Sequence, residues 1–215
     1  MKNEILGKLF KQFLIETIDA EKYAFSDIGR SDARNLLGLK DELTIMHVGN
    51  FKYEKNHQFL IQVFFEIKQV NKDAKLILIG GGDSDLIKKQ SQSLGIAESV
   101  IFMGVRNDVF HLLQAGDFFI FPSLYEGFPG AVLEAQASGM NCIISDSITE
   151  EVMLTKNIKM ISLSEGPKAW ANLLGSFEPV NRKDAWIEIK KAKYDIGDLV
   201  LNTEAFFDDL TKNTF

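Results

Sequence analysis

The sequence predicts an α/β fold in which a doubly wound parallel sheet carries helices on both of its faces. From residue 43 onward, short apolar runs alternate with longer segments whose apolar residues are spaced by three and four. The short runs are continuously apolar, as strands buried on both faces are, and glycine follows several of them directly. This alternation of strand and helix patterns is typical of βαβ units in a parallel sheet.

The individual elements are predicted in order from these patterns. Apolar runs predict strands over residues 43–48, 75–79, 100–103, 118–121 and 142–145, with a weaker sixth strand over 160–163. Helices are predicted from the N-cap Asn56, from Ser84 to near Gly95, from the N-cap Asp108 through Leu113, and from Pro129 in the first turn to Gly139. Further helices are predicted from about Pro167, Lys183 and Asp198.

These elements predict one domain, over residues 43–175, with helical tails on both sides. Residues 1–17 have the pattern of a short amphipathic helix, and residues 176–215 have that of C-terminal helices. No internal repeat, low-complexity tract or linker rich in proline and glycine divides the chain.

Composition and charge argue against several classes of protein. The 24 Lys and Arg against 30 Asp and Glu give a net charge of −6, whereas a nucleic-acid partner needs a basic face. The single cysteine, Cys142, lies in an apolar run, so we expect a buried thiol in a reducing compartment. No apolar run reaches the ~20 residues of a membrane span, and the charged first residues are unlike a secretory signal. We expect a cytoplasmic protein, with contact between the first helix and the inner face of the membrane as an alternative.

Candidate ligand-binding residues follow the predicted strands, because open parallel sheets bind ligands beyond the carboxyl ends of their strands. The glycines at 80–82 lack the G-x-G-x-x-G spacing, so a tight turn between strand and helix is favoured over a dinucleotide-binding loop. The segment from Glu126 to Glu134 is more informative. Its small residues let a ligand approach the backbone, and the start of the following helix offers N–H groups to an anion. Because helical side chains tilt toward the N-terminus, the Glu134 carboxylate can point back toward Gly127.

The run from Ser123 to Gly139 resembles the E-x7-E signature of family 4 retaining glycosyltransferases, whose GT-B fold has two facing Rossmann-like domains. Other segments occur in the same order as in that family: His47-Val48-Gly49, Lys55-Asn56-His57, Val100-Ile101-Phe102-Met103-Gly104 with Asp108-Val109, Ser145-Asp146 and Glu151-Val152. The resemblance covers about residues 18–163 and is greatest to transferases of bacterial capsule and exopolysaccharide assembly. It implies that this sheet is the C-terminal, nucleotide-sugar-binding half of a GT-B fold.

The resemblance also implies a role for each candidate residue. Glu134 would hold the ribose hydroxyls, Glu126 would face the donor sugar, and Lys55 would neutralise phosphate charge as the leaving group departs. The residues expected to border the rest of the donor are Gly49, Asn50, Gly104, Arg106, Gly127, Phe128, Pro129, Gly130, Ala131 and Val132. The implied donor is a nucleotide sugar, with a UDP-sugar favoured, and neither a metal nor another cofactor is expected.

One departure from the family pattern concerns the first loop. Many relatives have an arginine after the glycine of the first strand, whereas this chain has Asn50, which lacks the charge and the bidentate phosphate donor. Lys52 is the candidate replacement. A second departure, Asn141 where proline is common, is expected to be structurally minor.

The resemblance places this chain on the donor side of such an enzyme. Residues 18–42 are linker-like, and fewer than about twenty residues precede them, far below the size of an acceptor-binding domain. We therefore expect a missing acceptor-binding domain, supplied in cis or in trans, and no activity of the chain alone. A non-catalytic or split subunit that binds a nucleotide or a partner chain is the alternative, and a nucleotide-binding oxidoreductase is disfavoured without G-x-G-x-x-G.

Overall fold

The computed structural model describes residues 17–179 and 181–197 and contains a six-stranded parallel sheet of order β3-β2-β1-β4-β5-β6. The strands are β1 (Thr44–Val48), β2 (Lys75–Ile79), β3 (Val100–Phe102), β4 (Phe118–Phe121), β5 (Asn141–Ser145) and β6 (Ile158–Ile161). The predicted doubly wound α/β fold is confirmed. Strand order reverses between β1 and β4, which opens a crevice beyond the carboxyl ends of these two strands.

Helices cover both faces of the sheet. They are α1 (Asp27–Leu36), α2 (His57–Val70), α3 (Asp85–Ser93), α4 (Val109–Leu112), α5 (Gly130–Ala137), α6 (Gly166–Asn172) and α7 (Ala185–Lys191). One buried cluster contains apolar residues of α1, α4, α5 and α7, and the other contains those of α2, α3 and α6. Neighbouring strand residues alternate between the two clusters, as Cys142 and Ile143 do, because side chains along a strand point to opposite faces. No described helix is long and apolar enough to cross a membrane.

The sixth strand lies two residues earlier than predicted. Ile158 pairs with Cys142, so β6 begins before Lys159, whose charge interrupts the apolar pattern. A charged residue is tolerated because β6 is an edge strand, and the Lys159 ammonium reaches the carbonyl oxygen of Ser176 at 2.6 Å.

Asn56 and Asp108 stand at the predicted N-cap positions of α2 and α4, but neither side chain accepts a hydrogen bond from its helix. Asn56 precedes α2 in a left-handed conformation (φ 53°), and its amide donates to the Pro122 carbonyl instead of accepting from the helix. Asp108 precedes α4, but its carboxylate accepts both hydrogen bonds from Arg106. The partner of Asn56 is distant in the sequence and that of Asp108 is two residues away, and in each case the side chain bonds to this partner instead of to the helix N-terminus.

The segments outside residues 43–175 fold against the sheet. Residues 18–42 include α1, and Ala33 of this helix is fully buried. The helix predicted near Pro167, within residues 43–175, is present as α6, and the tail helix predicted near Lys183 is present as α7. The predicted N-terminal helix over residues 1–17, apart from Thr17, and the helix from about Asp198 lie outside the described residues.

An arginine clamp, formed by Arg30, Arg34 and Arg182, holds these outer segments to the turn before β4. Arg30 and Arg182 each donate to the Gly116 carbonyl, at 3.1 and 2.8 Å, and Arg34 donates to the Ala115 carbonyl at 2.9 Å. Asp117 pairs with Arg30 at 2.6 Å and supplies the opposite charge. Burial lowers the pKa of Arg182 to about 10, so this guanidinium stays charged at neutral pH.

We predict that Arg34→Met destabilises the protein by about 2–4 kcal/mol, because it leaves buried carbonyls without their donor. The Arg34 side chain is 10% exposed and also donates to the carbonyls of Lys40 and Glu42. Urea denaturation of the two proteins measures the difference. Lys183→Met is the control: it removes an exposed cation paired with Asp27 and should change the free energy of unfolding little. Equal losses in the two variants would contradict the role given to the clamp.

Candidate functional site

The loops after β1, β2 and β3 are bonded to one another at the crevice. The Phe51 amide donates to the Gly81 carbonyl at 2.7 Å, and the Gly80 amide donates to the Gly104 carbonyl at 2.9 Å. Gly80 and Gly82 both have positive φ, which confirms the predicted tight turn. A Cβ atom at Gly80 would overlap the carbonyl oxygen of Gly49, so the two loops can approach this closely only if residue 80 is glycine.

Asn50 stabilises this contact between loops. Its side-chain oxygen accepts a hydrogen bond from the Gly81 amide at 2.9 Å, although the residue itself is exposed. Asn50 therefore lacks the positive charge of the arginine that many relatives have here, but it fixes the loop after β2. Replacement by arginine would add the charge and lose this bond.

The loops after β1 and β4 meet through a part-buried ion pair. The Lys55 ammonium lies 2.7 Å from Oε1 of Glu126, and the two side chains are only 20% and 13% exposed. The ammonium also lies 4.9 Å from the centroid of the Phe121 ring. The amide of Leu124 donates to the Glu54 carbonyl at 2.8 Å, which further ties the two loops together. The two residues predicted to be catalytic are thus in direct contact, which the sequence did not predict.

Helix α5 begins beyond this ion pair and carries Glu134 in its second turn. Its N-cap is Pro129, one residue before the helix rather than in its first turn. The Val132 amide donates to the Pro129 carbonyl at 2.9 Å, and the Val132 side chain is fully buried. Both groups are therefore occupied by contacts within the protein. Oε1 of Glu134 accepts a hydrogen bond from the Tyr23 hydroxyl at 2.8 Å. Burial and the neighbouring Glu134 carboxylate raise the pKa of Tyr23, which keeps this hydroxyl protonated.

The residues between Glu126 and α5 differ in how much the protein constrains them. The Phe128 ring stacks on that of Tyr194, with centroids 5.1 Å apart and an interplanar angle of 5°. Gly127 is exposed, and a Cβ atom there would meet no other atom within 4 Å. The protein's own packing does not require glycine at 127, so the space beside it is open to a ligand. Gly130 and Ala131 form the first turn of α5 and are partly buried.

The loop after β3 holds the remaining candidates. Arg106 makes two hydrogen bonds with Asp108, at 2.8 and 2.6 Å, which raise the pKa of the guanidinium and lower that of the carboxylate. Gly104 has a φ of 65° and is exposed. A nucleotide base bound beside this loop would contact Gly104 and the Arg106 guanidinium, which Asp108 already holds in position.

Two buried histidines lie beneath these loops, and sequence reasoning gave them no role. The rings of His47 and His57 are in edge contact, with centroids 4.6 Å apart, and Nδ1 of His47 lies 2.9 Å from the Ile120 carbonyl. Burial is the main cause that lowers both pKa values, to about 4 for His57, and Lys55 lowers both further. Both rings are therefore neutral near pH 7 and add no charge beneath Lys55. The one signal in the sequence was that His47 and His57 belong to segments that occur in the same order as in the family pattern.

The described residues contain no group of three or more His, Cys, Asp or Glu placed to hold a metal ion. Metal independence stays a prediction. A cavity of about 270 Å³ lies between the loop after β1 and the start of α3, and Phe51, Tyr53, His57 and Leu86 are among the residues that line it.

Comparisons with known proteins identify the family of the chain. The family model described as Glycosyl transferases group 1 matches residues 30–182. The putative glycosyltransferase EpsF of Bacillus subtilis (strain 168) is 36% identical over 160 residues, which are 73% of this chain and 42% of EpsF. An Escherichia coli relative, the UDP-Gal:alpha-D-GlcNAc-diphosphoundecaprenol alpha-1,3-galactosyltransferase, is 33% identical over 146 residues, or 65% of this chain and 37% of that protein.

A comparison of structures finds the same fold. Anabaena Alr3699/HepE, solved in complex with UDP and glucose, matches with a TM-score of 0.72 at 21% identity over 91% of this chain and 55% of its own. This chain thus spans less than half the length of these two curated relatives and about half that of the solved structure. The family match includes the loops that meet at the crevice, the Lys55–Glu126 pair and all of α5, and it covers more than half of the chain. The chain therefore belongs to the family of group 1 glycosyl transferases.

Proposed function

We propose that the crevice binds a nucleotide diphosphate sugar, with a UDP-sugar favoured, and that the chain is the donor side of a retaining glycosyltransferase of polysaccharide assembly. The E-x7-E pattern supports retention of configuration at the transferred sugar. The E. coli relative, named as a UDP-Gal enzyme that acts on a lipid diphosphate, supports the donor class and the setting in polysaccharide assembly.

The observation that carries this proposal is the ion pair of Lys55 and Glu126. A part-buried ammonium beside a helix N-terminus and open space at Gly127 suits a diphosphate, whose charge grows as the bond to the sugar breaks. Glu126 holds the ammonium in position before a donor arrives. A carboxylate accepts hydrogen bonds at either oxygen, so it can also face the hydroxyls of a donor sugar.

Glu134 supplies the second carboxylate of the proposed site. It lies on the same helix whose first turn faces the loop at Gly127, and its side chain is directed toward the helix N-terminus by the ordinary tilt of helical side chains. We propose that it accepts hydrogen bonds from the ribose hydroxyls. The loop at Gly104 and Arg106 would then border the base.

The acceptor would be held by a second domain, in cis or in trans. The described residues form one sheet with its helices, and the curated relatives are more than twice as long as the part that this chain matches. Transfer requires the acceptor hydroxyl to be held against the donor sugar, and no part of the proposed donor site does this.

We predict that Glu134→Ala weakens UDP binding by about 1–3 kcal/mol through the loss of ribose hydrogen bonds. Isothermal titration calorimetry of the whole chain measures it. Glu98→Ala is the matched control, because Glu98 is an exposed glutamate before β3, at the opposite edge of the sheet. The donor-site proposal fails if the unaltered chain gives no heat with UDP or other nucleoside diphosphates at millimolar concentration.

Lys55→Met and Glu126→Gln should act in opposite directions on UDP. Loss of the ammonium removes a charge-assisted contact with phosphate. We expect this loss to weaken UDP binding by roughly 1.5–3 kcal/mol and to reduce the salt dependence of binding. Loss of the Glu126 charge removes repulsion from the diphosphate, so UDP binding should stay the same or tighten, while the preference for UDP-sugar over UDP falls. Lys89→Met, at an exposed lysine on α3, is the control. Glutamine keeps an oxygen that can accept from the ammonium, so Lys55 should stay in position in Glu126→Gln. Unchanged UDP binding in Lys55→Met would show that the ammonium does not contact the diphosphate.

The chain alone should not transfer sugar over multiple turnovers, although slow hydrolysis of the donor is expected. Orientation of two substrates can lower a barrier by about 7–11 kcal/mol, and a site that binds only the donor supplies none of this. The assay incubates the chain with UDP-sugars and lipid-linked or simple sugar acceptors, with and without the N-terminal domain of a related transferase. Sustained transfer without that domain would show that this chain or a second copy of it holds the acceptor.

A further inference from the structure

Two segments far apart in the sequence pair beside α5 and the loop that precedes it. The Ile18 amide donates to the Tyr194 carbonyl at 3.0 Å, and the Ile196 amide donates back to the Ile18 carbonyl at 2.9 Å, which forms a parallel bridge. The Ala20 amide donates to Oδ2 of Asp195 at 3.0 Å in a buried bond that spans 175 residues. We call residues 18–23 and 194–196 together the terminal strap.

Each half of the terminal strap contacts a residue of the proposed site. From the first half, the Tyr23 hydroxyl donates to Oε1 of Glu134 at 2.8 Å. From the second half, the Tyr194 ring stacks on that of Phe128. The strap therefore touches the site at two independent points, one on α5 and one in the loop before it.

We propose that Tyr23 is a positioning residue: it fixes the Glu134 carboxylate in the orientation that receives the ribose hydroxyls, and the terminal strap holds Tyr23 in place. This inference rests on the proposed binding of a nucleotide sugar. It assigns a role in that site to a residue more than a hundred positions away from α5 in the sequence.

The chemistry of the contact indicates that Tyr23 orients the Glu134 carboxylate and does not compete with the ribose hydroxyls for it. A carboxylate has about four acceptor positions, so a bond from the phenol does not by itself prevent it from accepting hydrogen bonds from sugar hydroxyls. The phenol is part-buried and its pKa is raised, so it donates and Glu134 accepts. A glutamate side chain has three rotatable bonds, and ordering it on binding costs conformational entropy. Tyr23 imposes that order in the free protein, so its loss should reduce the ribose contribution and leave the diphosphate contribution unchanged.

The test compares two ligands across the unaltered chain and three variants. UDP and 2′,3′-dideoxy-UDP, which lacks both ribose hydroxyls, are titrated calorimetrically into the whole chain, Tyr23→Phe, Tyr53→Phe and Glu134→Ala. We expect Tyr23→Phe to weaken UDP about fivefold and to leave the dideoxy ligand unchanged, because the phenyl ring preserves packing and removes only the hydroxyl. Tyr53→Phe, at a tyrosine that is 80% exposed, should leave the ratio of the two affinities as in the unaltered chain.

A double-mutant cycle shows whether Tyr23 acts through Glu134. In the Glu134→Ala background, Tyr23→Phe should have no further effect on UDP. An equal loss for both ligands, an unchanged ratio in Tyr23→Phe, or a full effect without Glu134 would each overturn the inference while leaving the donor site intact. Absence of UDP binding to the unaltered chain would instead reject the proposed function on which the inference rests.

Hydrogen exchange tests the strap itself. Coupling between two sites is reciprocal, so if the strap orders Glu134, then UDP must also stabilise the strap. Exchange of the Ala20 and Ile196 amides should slow on addition of UDP by more than exchange of the amides in α3. Equal slowing in both regions would overturn the part of the inference that concerns the strap.

Discussion

The structure depends on the backbone carbonyls of the turn before β4, which several segments of the chain use as a common anchor. The Gly116 carbonyl alone accepts from Arg30 before the sheet begins and from Arg182 after it ends. A carbonyl oxygen has two lone pairs, so two guanidinium donors can share it without competition. The turn leads directly into β4, whose far end carries the loop with Glu126. The same anchor thus fixes the outer segments relative to the central strand that supports the site.

At the other end of the strands, the loops after β1 and β2 are fixed by contacts between their backbones. Gly80 lies so close to the Gly49 carbonyl that a side chain is excluded, and Asn50 closes the same contact from the other side. The loop after β1 is bonded in turn to the loop after β4. Lys55 is therefore held from two directions, and the ion pair is part of a rigid framework rather than a contact between two mobile surface groups. A group held in this way needs little reorganisation when charge develops nearby.

Much of the fold was predictable because buried parallel strands leave a direct signal in the sequence. The first five strands are continuous apolar runs, and the structure confirms them to within a residue or so. The sixth strand was predicted two residues too late, because the charge of Lys159 interrupts the apolar pattern near its start. An edge strand tolerates such a residue. The N-cap positions of Asn56 and Asp108 were predicted correctly, but their side chains bond to Pro122 and Arg106 instead of to the helix, which a local capping rule does not reveal. The candidate site residues were found from their spacing, but the contacts of Glu134 with Tyr23 and of Phe128 with Tyr194 join parts of the chain that share no local pattern.

The burial of Cys142 has a practical consequence for work on this protein. The thiol lies within β5 with no exposed surface, and burial raises its pKa far above that of a free cysteine, so very little reactive thiolate forms near neutral pH. Because the chain has no other cysteine, a thiol introduced at an exposed position would be the single site open to maleimide reagents in the folded state. A fluorophore or spin label can therefore be placed by one substitution, with the natural residue left in the core.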